Sequence, residues 1–243
     1  SAETASRSRA ESPGKCAQIS STLFLQSAII WTWVLTGTLE FEAGGFLAGS
    51  ATPGQVSILI LLFCFGSAKC AIFPLHQWLP NAMVAPTPVS ALLHAVAVVK
   101  AGAFGILRVI YDLYGIELSV ELGVTTALAI AASITIIYGS LRAIAQQELK
   151  PRLAFSTISQ VSYVILGVSL FGPFGTIGAL AHLLHQGLMK VTLFFCAGNY
   201  AEELGIHRIN EMDGAGKRMP LTSLAFTVGA LGMIGLPPIA GFI

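Results

Sequence analysis

The sequence predicts an all-α, polytopic membrane protein, and three observations lead there. The 243 residues are 54% hydrophobic and only 10% charged, with a mean hydropathy of +0.77; a soluble domain carries about 25% charged residues. Apolar stretches approaching or exceeding the roughly 20 residues that a helix needs to cross a bilayer recur along the chain. Proline marks most of the short connections between them, at Pro53, Pro86, Pro88, Pro151, Pro173 and Pro220, because it lacks a backbone donor and opens helices well.

Taken in order, the stretches cover residues 19–39, 56–73, 89–110, 120–141, 153–171, 177–200 and 221–234, the last continuing past a proline pair. That makes seven spans. Residues 1–18 are polar, hold Arg7, Arg9 and Lys15, and have no apolar core, so they read as a tail or cytoplasmic loop and not as a signal peptide. Residues 19–243 then form one transmembrane domain. The chain stops at Ile243, inside an apolar stretch, so a piece of a longer protein is expected, cut at both ends.

Basic residues support the count. With seven alternating spans, one side carries Arg7, Arg9, Lys15, Arg142, Lys150, Arg152, Arg208, Lys217 and Arg218, and the other carries Arg108 alone. The positive-inside rule puts the rich side, and the N-terminal segment with it, in the cytoplasm.

Composition also excludes some classes. A net charge of +1 and the lack of any basic run argue against a nucleic-acid partner. Cys16, Cys64, Cys70 and Cys196 show no C-x-x-C spacing, so neither a disulfide frame nor a metal site is expected. The run Gly214-Ala215-Gly216-Lys217 lacks the spacing of a phosphate loop. No haem-attachment or nucleophile–histidine–acid pattern is present, and no cofactor is expected.

Against this apolar background, Lys69, Lys100 and Lys190 each lie inside a span. A lysine at the bilayer centre costs roughly 2.5–3.5 kcal/mol by insertion scales, and such residues mark ion and proton pathways. His94 shares the third span with Lys100. His182, His185 and Gln186 share the sixth with Lys190, and His182, Gln186 and Lys190 follow an i, i+4, i+8 spacing that lines one face. All twelve acidic residues fall outside the spans or at their ends, so no carboxylate is available at membrane depth. His182 and His185 alone are weak evidence for zinc. The second span should break between Lys69 and Pro74, where proline removes a hydrogen bond, and broken helices expose carbonyls that solvate cations. The plainer alternatives are Lys69 snorkelling to the interface and His94 as a hydrogen-bonded core residue.

Several runs now resemble a known family. Lys69-Cys70-Ala71-Ile72-Phe73-Pro74-Leu75-His76-Gln77-Trp78-Leu79-Pro80, Pro86-Thr87-Pro88-Val89-Ser90-Ala91-Leu92-Leu93-His94, Leu149-Lys150-Pro151-Arg152-Leu153-Ala154-Phe155-Ser156 and Gly235-Leu236-Pro237-Pro238 are similar to the antiporter-like subunits of complex I, of Mrp-type cation/proton antiporters and of membrane-bound hydrogenases. The segments from His94 to Lys100 and from Arg218 to Pro220 most resemble the D-type antiporter subunits.

The resemblance implies about fourteen helices with two inverted five-helix repeats. This chain would hold the sixth to eleventh helices and half of the twelfth, with broken helices at Lys69–Pro74 and at Pro237–Pro238. It implies a proton relay through Lys69, His94, Lys100, His182, His185 and Lys190. Members often have histidine where Gln186 stands, and they pair the Lys69 equivalent with a glutamate on a helix before this chain begins. The implied partners are other membrane subunits, the lipid bilayer, protons and sodium, in a bacterial or archaeal cytoplasmic membrane. The driver would be an Mrp-type sodium gradient or the redox chemistry of an NADH-quinone oxidoreductase or hydrogenase. Any oxidoreductase activity would belong to the complex and not to this chain. A non-conducting structural subunit is the alternative of another class.

Overall fold

The computed structural model describes residues 2–40, 45, 47, 49, 52–84, 86–93 and 97–237, without the side chains of residues 2–18, 68 and 84. Among these the chain is helical, with a single isolated backbone bridge between Glu148 and Arg208. The elements are α1 (Ala2–Thr36), α2 (Pro53–Gly66), α3 (Trp78–Asn81), α4 (Thr87–Ala91), α5 (Val98–Arg108), α6 (Ile116–Glu121), α7 (Val124–Ala145), α8 (Leu149–Ser169), α9 (Pro173–Leu204), α10 (Ala215–Arg218) and α11 (Pro220–Ile234). Ile19–Thr36, Val124–Ala145 and Pro173–Leu204 are long and apolar enough to cross a membrane, and Pro53–Gly66 and Pro220–Ile234 are shorter apolar helices.

Three stretches show their local structure in more detail. Helix α1 runs from Ala2 through the polar segment into the first apolar stretch. Alanine, glutamate, arginine and lysine fill much of it, and these are good helix formers. The second stretch ends earlier than Pro74. Helix α2 stops at Gly66, followed by Ser67 and a 3₁₀ turn, Ala68–Cys70. Helices bend or end readily at glycine–serine pairs, and here Gly66 lies against the backbone of Leu25 in α1.

In the third stretch α4 passes at Ala91 into a π-helical step at Leu92 and Leu93, where the Ala97 N–H bonds back five residues to the carbonyl of Leu92 at 3.0 Å, and α5 begins at Val98. A π-helical turn, Val109–Tyr114, extends α5. Its Tyr114 hydroxyl donates to the Val56 carbonyl at 3.0 Å, tying α5 to α2.

Helices α7, α8 and α9 form the centre. Between α7 and α8, the Ser140 and Ser159 hydroxyls meet at 2.9 Å, and Gly139 permits backbone approach to Ser159. One apolar cluster joins α5, α7 and α8 through Val99, Ala103, Leu128, Ala132, Ile158 and Val161. A second joins α8, α9 and α11, and a third joins α1, α2 and the turn after α5. Helix α8 therefore has core on both sides, with 13 buried residues on one 21-residue helix.

Outside the spans, two connectors are pinned together. Leu149 N–H donates to His207 O at 2.9 Å and Ile209 N–H to Gln147 O at 3.0 Å. The Glu211 carboxylate accepts the backbone N–H groups of His207 and Arg208, each at 3.0 Å. These two bonds hold its carboxyl below the usual carboxylate range. The seam fixes the α7–α8 turn to the end of α9, and so sets the register of the two helices that carry the buried lysine site.

Candidate functional site

Lys190 lies in the middle of α9 with no solvent exposure. Its Nζ donates to Ser156 Oγ at 2.6 Å and to the Leu153 carbonyl at 3.3 Å, both on α8. The Leu153 carbonyl also accepts the Thr157 hydroxyl at 2.9 Å, so Ser156 is the closer and less shared of the two partners. Among the described residues Lys190 has no ion pair. At this site the amine is held by neutral oxygens.

One turn earlier on the same face, Gln186 is also fully enclosed. Among the described residues neither of its amide atoms has a hydrogen-bond partner. Another turn earlier, His182 is partly buried, and among the described residues its Nε2 has no partner. The polar stripe of α9 thus turns toward protein, as an i, i+4, i+8 pattern on an apolar helix requires. His182 opens onto a cavity of about 470 Å³ lined by Gln160, Tyr163, Gly175, Gly178 and Met233, among others, and its ring stands edge-on to Tyr163 at 6.3 Å. Lys100 is half-buried on α5, which packs against α8, and His185 is half-buried on α9.

Lys69 has a different setting. It sits in the 3₁₀ turn that follows α2 and is exposed on this chain. The turn is held by its backbone. Cys70 N–H bonds to Ser67 O at 2.9 Å, and Ala71 adopts φ +54°, a left-handed conformation that costs a non-glycine residue about 1 kcal/mol. Phe73 N–H donates to Thr135 Oγ1 of α7 at 3.1 Å. His76 is buried, with its ring 4.6 Å from Tyr138. On the other side Gly102 of α5 touches the break. A Cβ there would lie 2.7 Å from Cys70 N and 3.1 Å from the Lys69 carbonyl carbon. The break at Lys69 and the lysine two residues before Gly102 are therefore neighbours by construction.

His94 lies outside the described residues, as does Pro238. Pro237 follows the end of α11, where Gly235 takes φ +77°. Sequence reasoning passed over Ser156 as a partner for Lys190. Its only advance signal was its place in the hydroxyl-rich run Ser156, Thr157, Ser159 and Ser162.

The family model described as "NADH:quinone oxidoreductase/Mrp antiporter, TM" matches residues 7–243. The chain belongs to this family. It is therefore an integral membrane protein. NADH-quinone oxidoreductase subunit N of Desulforudis audaxviator (strain MP104C) is 38% identical over 216 residues, covering 87% of this chain and 42% of that protein. Hydrogenase-4 component B of Escherichia coli (strain K12) is 38% identical over 221 residues, covering 86% and 32%. Among solved structures, a chain of the Mrp complex from Dietzia sp. DQ12-45-1b superimposes with a TM-score of 0.83 at 26% identity, covering 93% of this chain and 42% of that one. A chain of the membrane-bound sulfane sulfur reductase, described as an archaeal respiratory membrane complex, gives a TM-score of 0.81 at 30% identity, covering 95% and 47%. This chain thus spans less than half the length of each of these relatives.

Proposed function

We propose that this chain is part of an antiporter-like subunit that translocates protons within a multisubunit membrane complex. Its relay comprises Lys69, His94, Lys100, His182, His185 and Lys190. The observation that carries this reading is Lys190, a fully buried lysine held by a serine hydroxyl and a carbonyl, on a helix face that continues to His182 and the cavity beside it. A buried lysine without a carboxylate changes protonation more readily than a paired one, which suits a relay station. Family membership supports proton movement as the class of activity, and similarity to complexes of several kinds supports other membrane subunits as partners.

The finer architecture belongs to the same proposal: seven spans of a fourteen-helix inverted-repeat fold, the second break at Pro237–Pro238, residues 1–18 on the cytoplasmic face, and a bacterial or archaeal cytoplasmic membrane. The driver is either an ion gradient, as in an Mrp-type Na⁺/H⁺ antiporter, or redox chemistry in a partner subunit. Co-purification of the intact protein in mild detergent separates the two: iron–sulfur and flavin partners mean redox drive, and small membrane subunits alone mean antiport.

Lys100→Gln in the intact protein separates conduction from scaffolding, because glutamine keeps hydrogen bonding but carries no proton. We expect assembly at wild-type level and proton translocation reduced at least about tenfold, a typical size for loss of one proton-transfer group. Wild-type translocation by that variant would remove Lys100 from the relay, and the same result with glutamine at every relay position would establish the structural alternative.

A further inference from the structure

The relay reading leaves open what holds the Lys190 amine in place through both of its protonation states. We infer that Ser156 is a positioning residue for Lys190, acting as acceptor to the charged amine and as donor to the neutral one. This inference rests on the relay reading above and adds a residue to it.

Lys190 Nζ and Ser156 Oγ are 2.6 Å apart, inside the fully buried environment of the amine. A lysine side chain has several rotatable bonds, and fixing it costs up to about 2 kcal/mol of rotamer entropy. The contact must therefore be favourable in whichever state is populated. A hydroxyl has one donor and two acceptor positions and turns to suit its partner. It accepts from an ammonium, and after the proton leaves it donates to the amine lone pair, with the heavy atoms unmoved.

Leu153 O can only accept, is 0.7 Å farther away (3.3 against 2.6 Å), and already serves Thr157. A carboxylate in the same place would favour the charged state strongly and retain the proton. Ser156 stands where α8 and α9 pack, and the seam between residues 147–149 and 207–209 fixes the two helices relative to each other. Ser156 is thus presented to Lys190 by one packed helix facing another.

The test uses the intact protein in its complex, with assembly quantified and proton translocation measured in proteoliposomes for four variants. Ser156→Ala is expected to lower translocation about tenfold at normal assembly, the scale of a lost hydrogen bond to a charged group. Ser156→Thr, which keeps the hydroxyl, should stay within about twofold of wild type. Ser156→Asp should be at least as impaired as Ser156→Ala, because it supplies the carboxylate that retains the proton. Wild-type translocation by Ser156→Ala, with Lys190→Ala inactive, overturns this inference and leaves the relay standing. Equal impairment by alanine and threonine points to packing and also overturns it. Wild-type translocation by Lys190→Ala removes the relay at this position and the role of Ser156 with it.

Discussion

Lys190 and Lys69 are the same residue type in apolar stretches of one chain, yet the structure surrounds them differently. Lys190 is sealed between α8 and α9, and its amine has two oxygen partners within the chain. Lys69 is exposed on a turn, and among the described residues its side chain has no hydrogen bond or ion pair. The first is a site made by side chains packed across two continuous helices. The second is made by backbone, where α2 gives way to a short turn braced by Gly102 and Thr135. One lysine is thus a sealed amine with neutral oxygen partners, and the other an exposed side chain on a turn that interrupts the helix.

Gly102→Val tests the backbone side of this contrast with the largest expected effect. A Cβ at this position would lie 2.7 Å from Cys70 N and 2.8 Å from Cys70 Sγ, and the backbone cannot yield cheaply. Overpacking of this kind costs about 1–3 kcal/mol or more. Lower assembly and faster proteolysis near residue 69, with α8 and α9 still protected, is the expected pattern; unchanged assembly and protection would show that α5 does not brace the break.

A smaller effect is expected from Thr135→Val. It removes the acceptor for Phe73 N–H and should cost about 1 kcal/mol, the worth of an ordinary hydrogen bond. Thermal unfolding of the purified complex reads this directly, and the companion change Ser140→Ala, in the α7–α8 contact, provides the scale. Lys69→Met sharpens the comparison further. An exposed side chain without partners should change stability by no more than about 0.5 kcal/mol, so any effect of this variant on transport reports on function alone.

The smallest effect lies outside the membrane. Glu211 has its carboxyl pKa lowered by the two backbone N–H groups it accepts. A lowered folded-state pKa means that its contribution is complete above the ordinary glutamate value of about 4.3 and is lost as pH falls through the lowered value. Glu211→Ala should therefore be slightly less stable than wild type at neutral pH, and the difference should fade in strong acid. A difference that grows on acidification would contradict this assignment.

Much of this contrast was legible in the sequence, and the reasons for the rest are physical. The three lysines stand out because charge in an apolar run is rare, and the inward turn of α9 follows from the spacing of His182, Gln186 and Lys190. The break was expected between Lys69 and Pro74, because proline is the strongest local signal there, and the segment between α2 and α3 encloses that range. The helix in fact ends at Gly66, where close packing against Leu25 adds to the weak helix propensity of Gly66 and Ser67; such packing leaves no mark in a linear sequence. The π-helical step that follows α4 was hidden by the uniform hydropathy of the third stretch. Ser156 was hidden because a serine among other hydroxyls gives no hint of which one faces a lysine 34 residues away.

The most direct test is a side-by-side measurement of proton translocation by the intact complex in proteoliposomes, comparing wild type with Lys190→Ala and Lys69→Ala at equal assembly. If both settings serve one relay, each variant loses at least about tenfold in translocation, although one lysine is sealed and the other exposed. If either variant translocates protons at the wild-type rate, the two sites do not belong to one path, and that lysine is a structural feature of its helix.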